Sequence, residues 1–273
     1  MKAKKYKILV LSDLKKHTNS TIKSAVGLAK MIDAEVDVFH VKKPTDVVAS
    51  DSQLSAIRTI NQELNQFKNK IEKLINPFIE SYNIAITSNY GLGNIKSEIE
   101  AYISATKPDV IVLGKRNTKI LKLAGDHVTD FVLKTHNGPV LIVSNKNGIA
   151  PETDLHIGLL NGQSQVFNQH FNGNLFENTK APLKSFNIVN SVNSGYKLGD
   201  KPNENTIDFV FEKNDNTIKN IDQYLDKNKV NLLLINRSIK KGTTANNESE
   251  IKQIINNVNV SLFITSNTQK QAV

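Results

Sequence analysis

Val128-Thr-Asp-Phe-Val-Leu-Lys-Thr-His-Asn-Gly-Pro-Val-Leu-Ile-Val143 passes from helical spacing to an apolar run within one short stretch. Val128, Phe131 and Val132 mark a helix face, and Pro139 to Ser144 reads as a strand. Upstream, Asp109 to Gly114 is a second strand, and Ile95, Ile99 and Ile103 mark the helix before it. Further back, Ile84 to Ser88 is a strand. Leu54, Ile57, Leu64, Phe67, Ile71, Leu74 and Phe78 line one face of a long amphipathic helix. Glu35 to Val41 and Lys7 to Ser12 complete the strands. Between those two, Ile22, Ala25, Val26, Ala29 and Ile32 recur at helical period behind the cap-competent Thr18-Asn19-Ser20. Five strands alternate with four helices, the rhythm of an open parallel α/β sheet.

The rest of the chain replays the later part of this order at a spacing of 122 residues. Asn94 falls on Asn216, Ile99 on Ile221, Tyr102 on Tyr224, Lys107 on Lys229, and Ser144-Asn145 on Ser266-Asn267. Earlier in the unit the spacing grows to about 150, laying Leu155 to Asn161 on strand one and Phe186 to Val192 on strand two. The second unit therefore lacks the long second helix. Its first helix is interrupted: Phe167, Phe171 and Leu175 keep the spacing, but Gly173 and several asparagines break it. The breaker-rich Asn145 to Pro151 marks the boundary, dividing the chain into units 1–147 and 152–273. Two tandem five-stranded parallel sheets with flanking helices is the expected fold.

Composition bounds the function. The chain of 273 residues suffices for two cores, and 39% apolar with 22% charged residues excludes a disordered chain. It has no cysteine, and six scattered histidines without metal-ligand spacing exclude disulfides, thiolate catalysis and a metal site on these residues. No apolar run spans a bilayer and no secretory h-region precedes the first strand, so the expected location is cytoplasmic and away from membranes. Of the net charge of +9, nearly all sits in residues 1–147, with 22 Lys/Arg against 14 Asp/Glu. These lysines are dispersed and rarely interleaved with aromatics. A solvated surface is favoured over nucleic-acid binding.

The N-terminal unit resembles a universal stress protein domain. The resemblance rests on Ile8-Leu-Val-Leu-Ser-Asp13 before an alanine-rich helix, Val38-Phe-His-Val41, Gly91-Leu-Gly93 and, most specifically, residues 128–143. It implies an open five-stranded sheet of the adenine nucleotide alpha hydrolase-like kind and pairing of domains through the last strand. In tandem members that pairing makes a pseudo-dimer inside one chain. In one subclass ATP or AMP binds between strands one and four. Carried over residue by residue, the ligand-contacting positions are Asp13, Val41, Gly114, Arg116, Asn117, Gly125, Asp126 and His127.

The loop after strand four departs from the nucleotide-binding pattern G-2x-G-9x-G-[ST]. Gly114 is kept, Asn117 stands at the second glycine, and Asp126-His127 stand where Gly-Ser would close the loop. Phosphate docks on the free N–H groups and positive end of a helix N-terminus. An aspartate there can cap those groups itself and repel phosphate. Lys115, Arg116, Lys119 and Lys122 could offer cations instead, or form an unliganded basic loop. Asp13 and Val41 carry equally bland readings as a turn residue and a core residue. In the second unit Asn161, Ser191 and Asn236 fall on Asp13, Val41 and Gly114, which leaves no nucleotide site.

The expectation is a non-catalytic stress-response regulatory or interaction protein, not dependent on ATP and needing no cofactor. Its partners are the second unit, an unidentified protein, and by allowance a second chain. The alternative is an adenine-nucleotide-binding sensor or slow ATPase. No G-x-S-x-G, G-x-x-x-x-G-K-[ST] or G-x-G-x-x-G is present.

Overall fold

The computed structural model describes residues 5–44, 53–115, 127–146, 148–161, 172–179, 182–190, 206–237 and 248–266. The first unit runs β1 (Tyr6–Leu11), α1 (Thr18–Ile32), β2 (Ala34–Lys42), α2 (Gln53–Tyr82), β3 (Ile86–Leu92), α3 (Ile95–Thr106), β4 (Val110–Gly114), α4 (His127–Thr135) and β5 (Val140–Val143). The second runs β6 (Ile157–Leu160), α5 (Asn172–Glu177), β7 (Leu183–Val189), β8 (Thr206–Glu212), α6 (Thr217–Lys227), β9 (Leu232–Arg237), α7 (Glu248–Asn257) and β10 (Ser261–Ser266).

Among the described residues ten strands form one sheet in the order β3-β2-β1-β4-β5-β10-β9-β6-β7-β8. Every pairing is parallel except the central one, where β10 runs antiparallel to β5 with Phe263 opposite Leu141. Each five-stranded half is thus a parallel sheet, and the halves meet edge to edge. β1 alternates cleanly: Ile8 and Val10 enter one face, Leu9 and Leu11 the other. Both cores continue across the central seam, one joining Val10 and Val112 to Leu159 and Leu234, the other joining Leu9 and Ile142 to Leu233 and Leu262. Burying each such side chain stabilises the fold by roughly 1.5–3 kcal/mol.

Local signals explain the helices. α1 buries Ile22, Ala25, Val26, Ala29 and Ile32, and ends at Asp33, whose left-handed backbone returns its N–H to Ala29. Its N-cap is His17, which makes no side-chain cap; Thr18 is already helical, and its hydroxyl meets Ser12 Oγ at 3.1 Å. α3 is capped by Asn94, which accepts from the N–H groups of Lys96 and Ser97. α2 packs Phe67, Ile71, Ile75 and Phe78 onto Val36, Val38 and Ile86. Its first turns overshoot the sheet: Ile57, expected on the packed face, is 51% exposed. The Leu54 side chain lies outside the described residues.

The linker is packed. A Cβ on Gly27 would stand 2.8 Å from the Ile149 carbonyl oxygen, so α1 needs glycine where residues 149–151 cross it. Ile149 is buried in the same core.

The strand registers correct the repeat. Ser12 N–H donates to the Phe39 carbonyl and Asn161 N–H to that of Phe186, so Asn161 stands on Ser12 rather than Asp13. Strand two of the second unit begins at Leu183 rather than Phe186, and Ile188, not Ser191, corresponds to Val41. Ser191 lies outside the described residues. Gly93 N–H donates to Lys42, and Lys213 N–H to Val189, which places β8 at a spacing of 120. Two extra residues therefore precede α6, and the repeat at 122 is not gap-free through strand three. Between β2 and β3 lie 43 residues, between β7 and β8 only 16. α5 keeps Leu175 in the core, while Phe167 and Phe171 lie outside the described residues.

Candidate functional site

The strand order reverses between β1 and β4, and at their carboxyl ends the chain leaves a crevice of about 470 Å³. This is where doubly wound sheets hold ligands. Phe39, Val41, Ile95 and Ile99 give it an apolar wall, Gly114 closes β4, and Val128 and Thr129 contribute the first turns of α4.

The structure brings Asp13, Val41 and Gly114 together around this space. Asp13 Oδ1 accepts the Lys15 N–H at 3.0 Å, the turn-forming role that competes with ligand contact. Ser12 Oγ accepts the Leu14 N–H at 3.1 Å, and Leu14 adopts a left-handed backbone with its side chain buried. The loop is also tied from the far side of the sheet. Lys70 Nζ of α2 donates to the Leu14 carbonyl at 2.6 Å. His40 Nδ1 lies 2.8 Å from the Ser12 carbonyl, which can only accept, so this nitrogen carries the proton. Burial lowers the His40 pKa, favouring the neutral ring.

Gly114 has a packing reason to be glycine. A Cβ there would stand 2.6 Å from Thr21 Oγ1, and that hydroxyl is held by donating to the His17 carbonyl at 2.9 Å. Lys115, one of the cations expected to compensate for the missing glycines, is committed elsewhere. Its amine donates to the Val258 carbonyl of the second unit, and burial pulls its pKa below the ordinary lysine value. Arg116, Asn117, Gly125 and Asp126, with Lys119 and Lys122, lie outside the described residues. His127 is the first residue of α4, and its side chain also lies outside them.

Sequence reading missed Lys15, Lys16 and His17, which line the same crevice. Their place in the turn after strand one was the available signal, because that turn opens at the switch point. At the ends of the corresponding strands the second unit differs. Asn161 Oδ1 accepts the Ile188 N–H at 2.8 Å, while Asn236 and Arg237 are buried in β9. Among the described residues no group of three or more His, Asp or Glu could hold a metal ion, and no helix is long and apolar enough to cross a membrane.

Comparison with known proteins gives the same picture. The model of the universal stress protein family matches residues 6–144. A universal stress protein from Archaeoglobus fulgidus is similar over 95% of this chain and 98% of its own, with a TM-score of 0.65 and 13% identity. A putative universal stress protein from Pseudomonas aeruginosa is similar over 95% of this chain and 92% of its own, with a TM-score of 0.59 and 13% identity. Likeness at that identity speaks to the fold. No curated protein matches the sequence.

Proposed function

Because the chain belongs to the universal stress protein family, we propose that it is a non-catalytic regulatory or interaction protein of the stress response, independent of ATP. In this reading residues 1–147 carry the crevice, and residues 152–273 act as a built-in partner paired through the last strands. One observation carries it: the amine of Lys115, next to Gly114, reaches the Val258 carbonyl rather than awaiting an anion. The turn-bound Asp13 points the same way. The hydroxyls of Ser12, Thr18 and Thr21 are engaged with one another or with the backbone, not with a base that could activate them. The physiological partner is another protein, and light scattering reports whether a second copy also joins.

A second reading is favoured by the crevice itself, whose volume and apolar wall suit a purine, with Lys15 and Lys16 at its lining. Under it the first unit binds ATP or AMP as a sensor or slow ATPase. Thermal unfolding with ATP, AMP and Mg²⁺ separates the two. A ligand bound only by the folded state at a hundredfold excess over its Kd adds about 2.7 kcal/mol, a rise of several degrees. A flat response is expected; a rise transfers the assignment to the second reading.

A further inference from the structure

Lys115 and Arg237 lie 122 residues apart, and so do the residues whose carbonyls they reach, His136 and Val258. That is the spacing of the repeat, so the two contacts are one contact seen from both sides of an internal two-fold. Each cation follows or ends the strand that leads into its own unit's loop. Each target is the first residue past a helix, α4 or α7, and returns its own N–H to the helix at 2.9 Å. The last carbonyls of a helix lack intrahelical donors and carry the negative end of the dipole. A cation from the other unit satisfies both needs.

The arginine side is the stronger. Its guanidinium donates to the carbonyls of Leu133 and His136, and to Gly138 at 3.0 Å, with the residue only 8% exposed. Burying a guanidinium against three carbonyls fixes its position, because any displacement leaves charged N–H groups unpaired. A third tie is the ion pair between Lys252 of α7 and Asp130 of α4 at 3.0 Å. α4 is also the wall of the crevice, through Val128 and Thr129, and Lys115 directly follows Gly114. Lys115 at the start of the loop between β4 and α4, and Asp130 with the C-terminal end of α4 beyond that loop, are therefore tied to the second unit.

We propose that this reciprocal pair of cross-unit helix caps is a coupling device: the second unit sets the opening of the first unit's crevice by holding the end of α4 and the residue after β4. This deepens the built-in-partner reading and does not depend on which ligand, if any, the crevice takes. By linkage, whatever loosens the seam changes access to the crevice, and whatever fills the crevice tightens the seam.

The absence of cysteine makes the test direct. Val41→Cys places a single thiol in the crevice wall, whose rate of modification by a disulfide reagent reports access. Adding Arg237→Gln should raise that rate by roughly fivefold or more, and should speed amide exchange across His127–Thr135. Lys115→Met should speed exchange at the end of α7. A lower melting temperature with an unchanged thiol rate and unchanged α4 exchange would mean a purely structural bond, and would overturn the proposal. Should Arg237→Gln fail to fold, Lys252→Gln replaces it, with a smaller rise expected and an unchanged rate again decisive against. No nucleotide enters these measurements, so their failure is distinct from a thermal shift with ATP.

Discussion

The two units share a topology but differ in what their second and third strands present on each face. On β2 and β3 the side beneath α2 carries Val36, Val38 and Ile86, all buried. The strand registers place Leu183, Ser185 and Thr206 at those positions in the second unit, followed by Asn187, Asp208 and Val210. Asn187 donates to Ser185 and Asp208 there, where no counterpart of α2 lies among the described residues. The opposite face differs around Asp37. In the first unit Tyr102, Thr87 and Asn89 all donate to Asp37. In the second, Lys184, Ile207 and Phe209 occupy the sites of Asp37, Thr87 and Asn89, and Tyr224 packs edge-on against Phe209 and Phe211. A strand's composition follows what covers each face, so the two units carry different side chains on strands that pair in the same way.

If α2 is what demands the apolar face, Ile71→Ala should destabilise the first unit by about 2–5 kcal/mol in urea unfolding. A loss below about 0.5 kcal/mol would mean that the helix rests on the sheet without supporting it. The seam offers a pH test. Burial, then the neighbouring Arg237 charge, pushes the His136 pKa down to about 4. The unfolded chain takes up this proton near pH 6.5 and the folded chain does not. Stability is therefore full above pH 6.5 and falls by up to about 3 kcal/mol as pH drops to 4. His136→Asn should flatten that portion of the pH profile, and an unchanged slope would remove His136 from the seam's energetics. Next in size, Tyr102→Phe deletes a 2.5 Å hydrogen bond to a carboxylate and should cost about 1.5–3 kcal/mol, whereas Tyr224→Phe should stay within about 0.5 kcal/mol. Equal losses would erase the contrast between the faces. Smallest of all, Ile207→Thr restores the first unit's residue at a site 45% exposed and should shift stability by less than about 0.5 kcal/mol.

The strands were legible because a parallel strand buried on both faces reads as a continuous apolar run, as at Val110–Leu113 and Leu232–Ile235. The repeat was legible where it carries helix starts and core positions, as at Asn94 and Asn216, although only Asn94 makes a side-chain cap. It misled near Asn161 and β8, where one- and two-residue shifts are invisible without a hydrogen-bond register to count against. The crevice was partly legible. Asp13, Val41 and Gly114 converge as a switch point requires, but Lys15 and Lys16 fall outside both the phosphate loop and the base-contacting positions that the family pattern marks. Nothing in the sequence could show where Lys115 points. A lysine beside a glycine looks the same whether it awaits an anion or has crossed to another unit, and only the contact with Val258 separates the two.

The antiparallel meeting of β5 and β10 also limits the company this chain can keep. A single-unit relative that pairs through its last strand stays open to exchange with any similar chain at hand. Here that strand is married from synthesis to a companion on the same polypeptide, at an effective concentration no diffusing competitor matches. With β5 and β10 spent on each other, the strands left at the two margins of the sheet are β3 and β8.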